Sequence, residues 1–180
     1  MKKIIFLNGP PSCGKDTIAN LLIEKYNGVN LKFAQPIRNA VCGLFDIEDF
    51  MLDKVKNNKI ENTSYRIRDA MIDIGENIIK SKISRDWFGI TLLNTIKKYH
   101  TNVDLIVVSD LGFIREFEVI YNDLKDSYNI ELWKIYRPNT SFLNDSRNYI
   151  EYPKIKTRNI SNNGDINSLK SLVFEKNKTQ

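Results

Sequence analysis

The sequence predicts a three-layer α/β domain in which helices cover both faces of a parallel sheet of about five strands. Three observations lead there. The apolar runs at 3–8 (KIIFLN) and 103–109 (VDLIVVS) are continuous rather than alternating, as in strands buried on both faces. Stretches with helical spacing lie between the strand-like runs along the whole chain. The first run ends in Gly-Pro-Pro, and an amphipathic stretch follows almost at once.

The elements follow in order. After the strand at 3–8, residues 15–26 place Ile18, Leu21, Leu22 and Tyr26 on one helical face. VNLKFA at 29–34 reads as a second strand, and Pro36 opens a short helix over 36–45. The segment 46–64 is charged and irregular, and reads as a mobile insertion over a cleft. Ile67, Met71, Ile74 and Ile78 have helical spacing within 65–83, and a further helix covers 87–99. The strand at 103–109 is followed by a helix at 114–126 and a strand at 130–136. Residues 138–154 are polar, contain Pro138 and Pro153, and show no period, so they read as a lid-like loop. A strand near 155–160, a helix at 166–175 and a polar tail finish the chain. There is no internal repeat and no linker, and 180 residues suit one domain.

Composition narrows the function. At 42% hydrophobic and 27% charged residues, the chain resembles ordinary soluble proteins, and no apolar run approaches the length of a membrane span. MKKIIFLNG is too short to be a signal peptide and leads into a glycine turn, so a cytoplasmic protein is expected. Cys13 and Cys42 form no CxxC pair or disulfide framework. With His100 the sole histidine, a His-based metal site or triad is not expected. The net charge of +5 is spread along the chain, and no helix-turn-helix, zinc or RNA-binding signature accompanies it, so no nucleic-acid partner is expected.

The run GPPSCGKDT at 9–17 carries the chemistry. Gly9 and Gly14 permit backbone angles that side chains forbid. Around Cys13, successive N–H groups can then cradle phosphate oxygens at the start of the next helix. Lys15 would neutralise the β- and γ-phosphates of a nucleotide. Asp16 stands where Ser or Thr is usual. It either stabilises the helix start or holds Mg²⁺, and Thr17 offers its hydroxyl to a phosphate. Asp110 ends the strongest strand, where open α/β sheets bind ligands. It is a candidate for Mg²⁺ or substrate, or else an N-cap near Phe113.

GPPSCGKDT resembles the glycine loop of nucleoside monophosphate kinases, and its GKDT form looks like that of the phage-type deoxynucleoside monophosphate kinases. Further segments are similar to that family in the same order: KFAQPIRNAV at 32–41, SYRIRDAMIDIGENIIKSKISRDWF at 64–88, IVVSDLGFIREFE at 106–118, YRP at 136–138, and ISNNGDINSLKSLV at 160–173. The chain departs from the pattern at Met71, Ile72, Lys80 and Gly112, where Leu, Gln and two arginines are usual.

The resemblance implies a P-loop nucleotide kinase fold over 1–180, with an acceptor-binding helical region at 46–88 and a lid at 138–154. It implies transfer of the ATP γ-phosphate to a (deoxy)nucleoside monophosphate, with Mg²⁺. Another small phosphate acceptor, or nucleotide binding without turnover, are the alternatives. Lys15, Arg68, Asp110 and Arg137 are the candidate catalytic residues. The ATP site takes in Gly9, Cys13, Gly14, Lys15, Asp16, Thr17, Asn163 and Gly164, of which the last two, with Asn162, form the turn that lies against adenine in the family. Substrate would meet Phe33, Arg38, Arg68, Arg85, Asp86, Trp87 and Asp110. Asp16 and Asp110 are the candidate metal ligands. Arg147 in the lid is an arginine that closure would bring in. Small-molecule nucleotides are the expected partners, and a homodimer is left open. A phage origin would put the protein in the host cytoplasm.

Overall fold

The computed structural model describes residues 2–99, 102–143 and 145–175. His100, part of the lid at Asn144 and the end of the polar tail lie outside them. The strands are β1 (Lys2–Asn8), β2 (Gly28–Leu31), β3 (Leu105–Leu111), β4 (Tyr128–Tyr136) and β5 (Lys156–Ser161). They form one all-parallel sheet in the order β2-β3-β1-β4-β5. The α-helices are α1 (Lys15–Lys25), α2 (Gln35–Phe45), α3 (Asp49–Val55), α4 (Ile67–Ile72), α5 (Trp87–Tyr99), α6 (Ile114–Leu124) and α7 (Ile166–Phe174).

Alternation along the strands divides the core between the two faces. Ile4 and Phe6 of β1, with Ile106, Val108, Ile130 and Leu132, pack under α5 and α6. Ile5 and Leu7, with Leu105, Val107, Trp133 and Ile135, pack under α1 and α7. Burying each of these side chains contributes about 2 kcal/mol, so the central strands must be apolar on both sides. This is the predicted three-layer architecture.

A third cluster lies beside the sheet. Val41 of α2, Leu52 of α3 and Ile67 of α4 are buried together, with Ile37, Met71 and Ile74 against them. The segment 46–64 therefore does more than insert: α3 is fastened to α2 through a fully buried leucine. Beyond Ile72 the chain winds as a π-helix over Asp73–Ile83. The wider i→i+5 turn advances the apolar face. Ile79 packs against the core, while Ile78, expected inward from α-helical spacing, is exposed.

The lid-like loop has neither helix nor strand among its described residues, yet it is held to the sheet. Asn8, buried at the end of β1, donates from Nδ2 to the carbonyls of Leu111 (3.0 Å) and Asn148 (3.1 Å). Its Oδ1 accepts from the Ile150 N–H at 2.9 Å. Tyr149 donates its hydroxyl to the Ile135 carbonyl (2.9 Å) and stacks on Tyr136. Ile150 is buried, and Tyr152 meets Phe117 edge-on. No helix is long and apolar enough to cross a membrane among the described residues.

Candidate active site

The glycine loop leaves the carboxyl end of β1, in the middle of the sheet, and feeds α1. Gly14 caps α1 with φ +105°, where a side chain is strained. A Cβ there would also meet the Asn162 amide nitrogen at 2.5 Å. Asn162 is buried and donates to the Cys13 carbonyl at 2.9 Å, which ties the loop to the end of β5. Cys13 is itself buried under the loop. Asn163 and Gly164, the predicted nucleotide turn, follow Asn162 and are exposed. Thr17 is exposed in the first turn of α1.

Lys15 curls back into the loop. Its ammonium donates to the carbonyls of Gly9 (2.7 Å) and Pro10 (2.6 Å), and lies 3.6 Å from Cys13 Sγ. Burial lowers its pKa, the thiol opposes that shift, and the charge of Arg147 adds to it. A cation thus sits inside a backbone cradle at a helix N-terminus, where an anion is favoured.

Asp16 does not cap α1. Its carboxylate is largely exposed, 3.2 Å from Lys32 Nζ, and accepts from the Ser109 hydroxyl at 3.3 Å. It therefore spans from the loop to the ends of β2 and β3. Asp110 points elsewhere. Its two oxygens accept from the N–H groups of Phe33 (2.9 Å) and Ala34 (3.0 Å), so it fixes the entry to α2 rather than capping α6. Burial raises its pKa, against those two bonds and the charges of Lys32 and Arg147. Asp16 and Asp110 are not part of a larger metal cluster: among the described residues no three acidic, histidine or cysteine side chains converge.

Arginines come in from the other strands. Arg137, just past β4, donates to the Ser12 carbonyl of the loop at 3.3 Å. Arg147, from the lid, pairs with Asp145 through Nε (2.8 Å) and NH2 (2.6 Å). Its aliphatic stem lies across Gly112: a Cβ on that glycine would stand 2.6 Å from Arg147 Cγ and closer still to Cδ. The lid arginine thus fills the space that a side chain at 112 would take. Arg68 is half-buried in α4, close enough to Asp145 to lower its pKa, after the larger effects led by the Arg147 hydrogen bond.

On the acceptor side the predicted residues divide. Phe33 is a core residue: it is 4% exposed and stacks with Phe6 at 6.3 Å, which leaves its ring little surface for a base. Arg38 is also buried. It donates from Nε to Asp49 (2.8 Å), from NH1 to Asp53 (3.1 Å) and from NH2 to the Asp49 carbonyl (2.9 Å), so it joins α2 to α3 instead of facing substrate. Asp86 is paired with Arg115. Trp87 is partly exposed at the start of α5. Arg85 borders a cavity of about 310 Å³ walled by Glu76, Lys80, Phe113, Arg115 and Glu116. A larger cavity of about 490 Å³ opens at the opposite end of the sheet, against Lys3 and Asp104, and contains none of the loop.

Two site residues escaped the sequence reading: Asn8 and Glu116. Each is polar and buried, a signal that only burial reveals. Desolvation is the main cause that raises the Glu116 pKa, to about 7, and Lys80 partly offsets it.

No protein-family model matches this chain, and no curated protein does. Solved structures do. A sugar kinase from Janibacter sp. HTCC2649 aligns with a TM-score of 0.54 over 95% of this chain and 91% of its own, at 9% identity. An APS kinase from Mycobacterium tuberculosis aligns with a TM-score of 0.49 over 94% and 92%, also at 9% identity. The sugar-kinase likeness, the all-parallel sheet and the glycine loop after β1 together show an α/β fold of the P-loop NTPase type.

Proposed function

We propose that this protein transfers the γ-phosphate of ATP to a (deoxy)nucleoside monophosphate, giving ADP and the corresponding diphosphate. One observation carries the reading. Lys15 is buried in the glycine loop, and Arg137, Arg147 and Lys32 come from separate strand ends and the lid to the same end of the sheet. Phosphoryl transfer asks a protein mainly for cations on the phosphate oxygens and for in-line placement. ATP with Mg²⁺ would supply the transferring group and a further positive charge.

The chain's own residues fit that pair. The Gly14 turn has left-handed backbone and no room for a side chain beside Asn162, so a phosphate could approach its main chain. Lys15 would exchange its two carbonyl partners for phosphate oxygens. The exposed Asp16 carboxylate is a hard oxygen donor at the start of α1 and the candidate to hold Mg²⁺, directly or through water. Arg137 and Arg147 would stabilise charge on the transferring group, and the 138–154 segment would exclude water from it. Arg68 and Arg85 are the arginines left to hold the acceptor phosphate.

A second reading keeps the fold and changes the acceptor to another small phosphorylated or hydroxylated metabolite. Gly112 favours it, because the lid arginine occupies the place of the family's side chain there. Release of ADP from ATP and Mg²⁺ should be followed with each common ribo- and deoxynucleoside monophosphate, with Lys15→Ala as control. Turnover with one or a few of them, lost in the control, is expected. ATP binding without turnover on any monophosphate refutes the first reading.

A further inference from the structure

The cavity beside Phe113 contains a charge pair that the proposed transfer does not use. Glu116, in the first turn of α6, is buried, with 6% of its side chain exposed. Its Oε1 lies 3.4 Å from Lys80 Nζ, a long ion pair. The same ammonium is 2.9 Å from the more exposed Glu76, and sits 3.6 Å over the Phe113 ring. So the buried carboxylate shares the Lys80 ammonium with another acid. A buried charge this poorly compensated costs stability unless something else approaches it.

The surroundings indicate what approaches. The cavity, about 310 Å³, is large enough for one heterocycle. Phe113 provides an aromatic wall, and Arg85 lines it with a positive charge that suits an anionic ligand, while Arg115 is held by Asp86. Phe113 follows the Asp110–Gly112 strand end directly, so the cavity adjoins the end of the sheet against which the Arg147 stem lies. Such a cavity takes a planar base attached to a phosphate.

We propose that Glu116 and Lys80 are the specificity-determining pair of the acceptor site and read a base edge that presents an N–H beside a C=O. The inference rests on the kinase reading above. Glu116 accepts from the ring N–H, and Lys80 donates to the adjacent carbonyl. Guanine, hypoxanthine, thymine and uracil carry that edge. Adenine and cytosine reverse it: an amino group would face the ammonium, and a ring-nitrogen lone pair would face the carboxylate. Rejecting the reversed edge needs no steric clash, because both contacts are then electrostatically wrong in a buried site.

The cleanest test compares dIMP with dAMP, which differ at the edge in question and not in size. Transfer and equilibrium binding are measured at pH 8, with the wild type and with the double variant Glu116→Leu/Lys80→Met. Removing both charges together leaves an apolar pair that the fold tolerates, and a thermal melt checks it. The wild type should prefer dIMP and dGMP over dAMP by about a hundredfold. In the double variant the ratio should collapse to within a few fold, with the KM for ATP unchanged. If transfer occurs and the ratio survives the double variant, the pair does not read the base, and the kinase reading stands. If no transfer occurs but binding shows the same edge preference, lost in the variant, the pair reads the base and the kinase reading fails. Absence of both transfer and selective binding overturns both.

Discussion

Gly112→Ala should be costly although the backbone there suits any residue. Gly112 lacks the positive φ that Gly14 has, so alanine alone would be neutral or slightly stabilising. The obstacle is Arg147. A Cβ at 112 would stand 2.6 Å from Arg147 Cγ, short of ordinary van der Waals contact by roughly 0.8 Å. The stem cannot shift freely, because Nε and NH2 are both fastened to Asp145. Relief therefore requires either moving the 111–113 turn or losing the arginine pair. Overpacking of this kind costs about 1–3 kcal/mol. With a urea m-value near 2 kcal/mol/M, the midpoint should fall by about 0.5–1.5 M. The same substitution in an Arg147→Ala background should cost less than about 0.5 kcal/mol, giving a coupling of at least ~0.5 kcal/mol in the four-protein cycle. Equal costs in the two backgrounds, or none in the wild type, would refute the seat of Arg147 on Gly112.

Two more outcomes follow from buried charge. The Glu116 carboxyl titrates at about 7 when folded, raised from 4.5 mainly by burial, with Lys80 opposing and Asp110 and Glu76 adding to the shift. The folded state then binds its proton more tightly than the unfolded chain between those values, so this group's contribution to stability declines as pH rises from about 4.5 to 7, by roughly 3 kcal/mol at most. Glu116→Gln should gain stability relative to wild type across that window in denaturant titrations; a constant gap from pH 5 to pH 8 contradicts the assignment. Arg38→Met should lose about 2 kcal/mol, because Asp49 and Asp53 lose their shared partner but can still reach water. A stable variant with a raised KM for the acceptor would instead return Arg38 to the substrate site.

The site was legible where residues adjacent in sequence create it. Gly9, Gly14 and Lys15 mark a candidate anion cradle because the turn, the helix start and the cation are neighbours in the chain. The residues that complete the cradle are not. Asn162 meets Cys13 and Asn8 meets Ile150 across most of the chain, and Arg147 meets Gly112 from a separate segment. Phe33 and Arg38 show the converse: aromatic and cationic types suggested ligand contacts, and burial gave them packing and ion-pair work instead.

By itself the sequence determined the layered architecture, since continuous apolar runs and helical stripes are local properties of the chain. It placed four of the five strands within about two residues, and the loop between β1 and α1. Tertiary structure alone decided the π-winding after Ile72 and the docking of the 138–154 segment by Asn8. It alone also paired Glu116 with Lys80 beside Phe113. The physical reason is the same in each case. Periodicity reports which face of an element is apolar, whereas the partner of a buried polar group is chosen by whichever distant segment the fold brings within hydrogen-bonding distance.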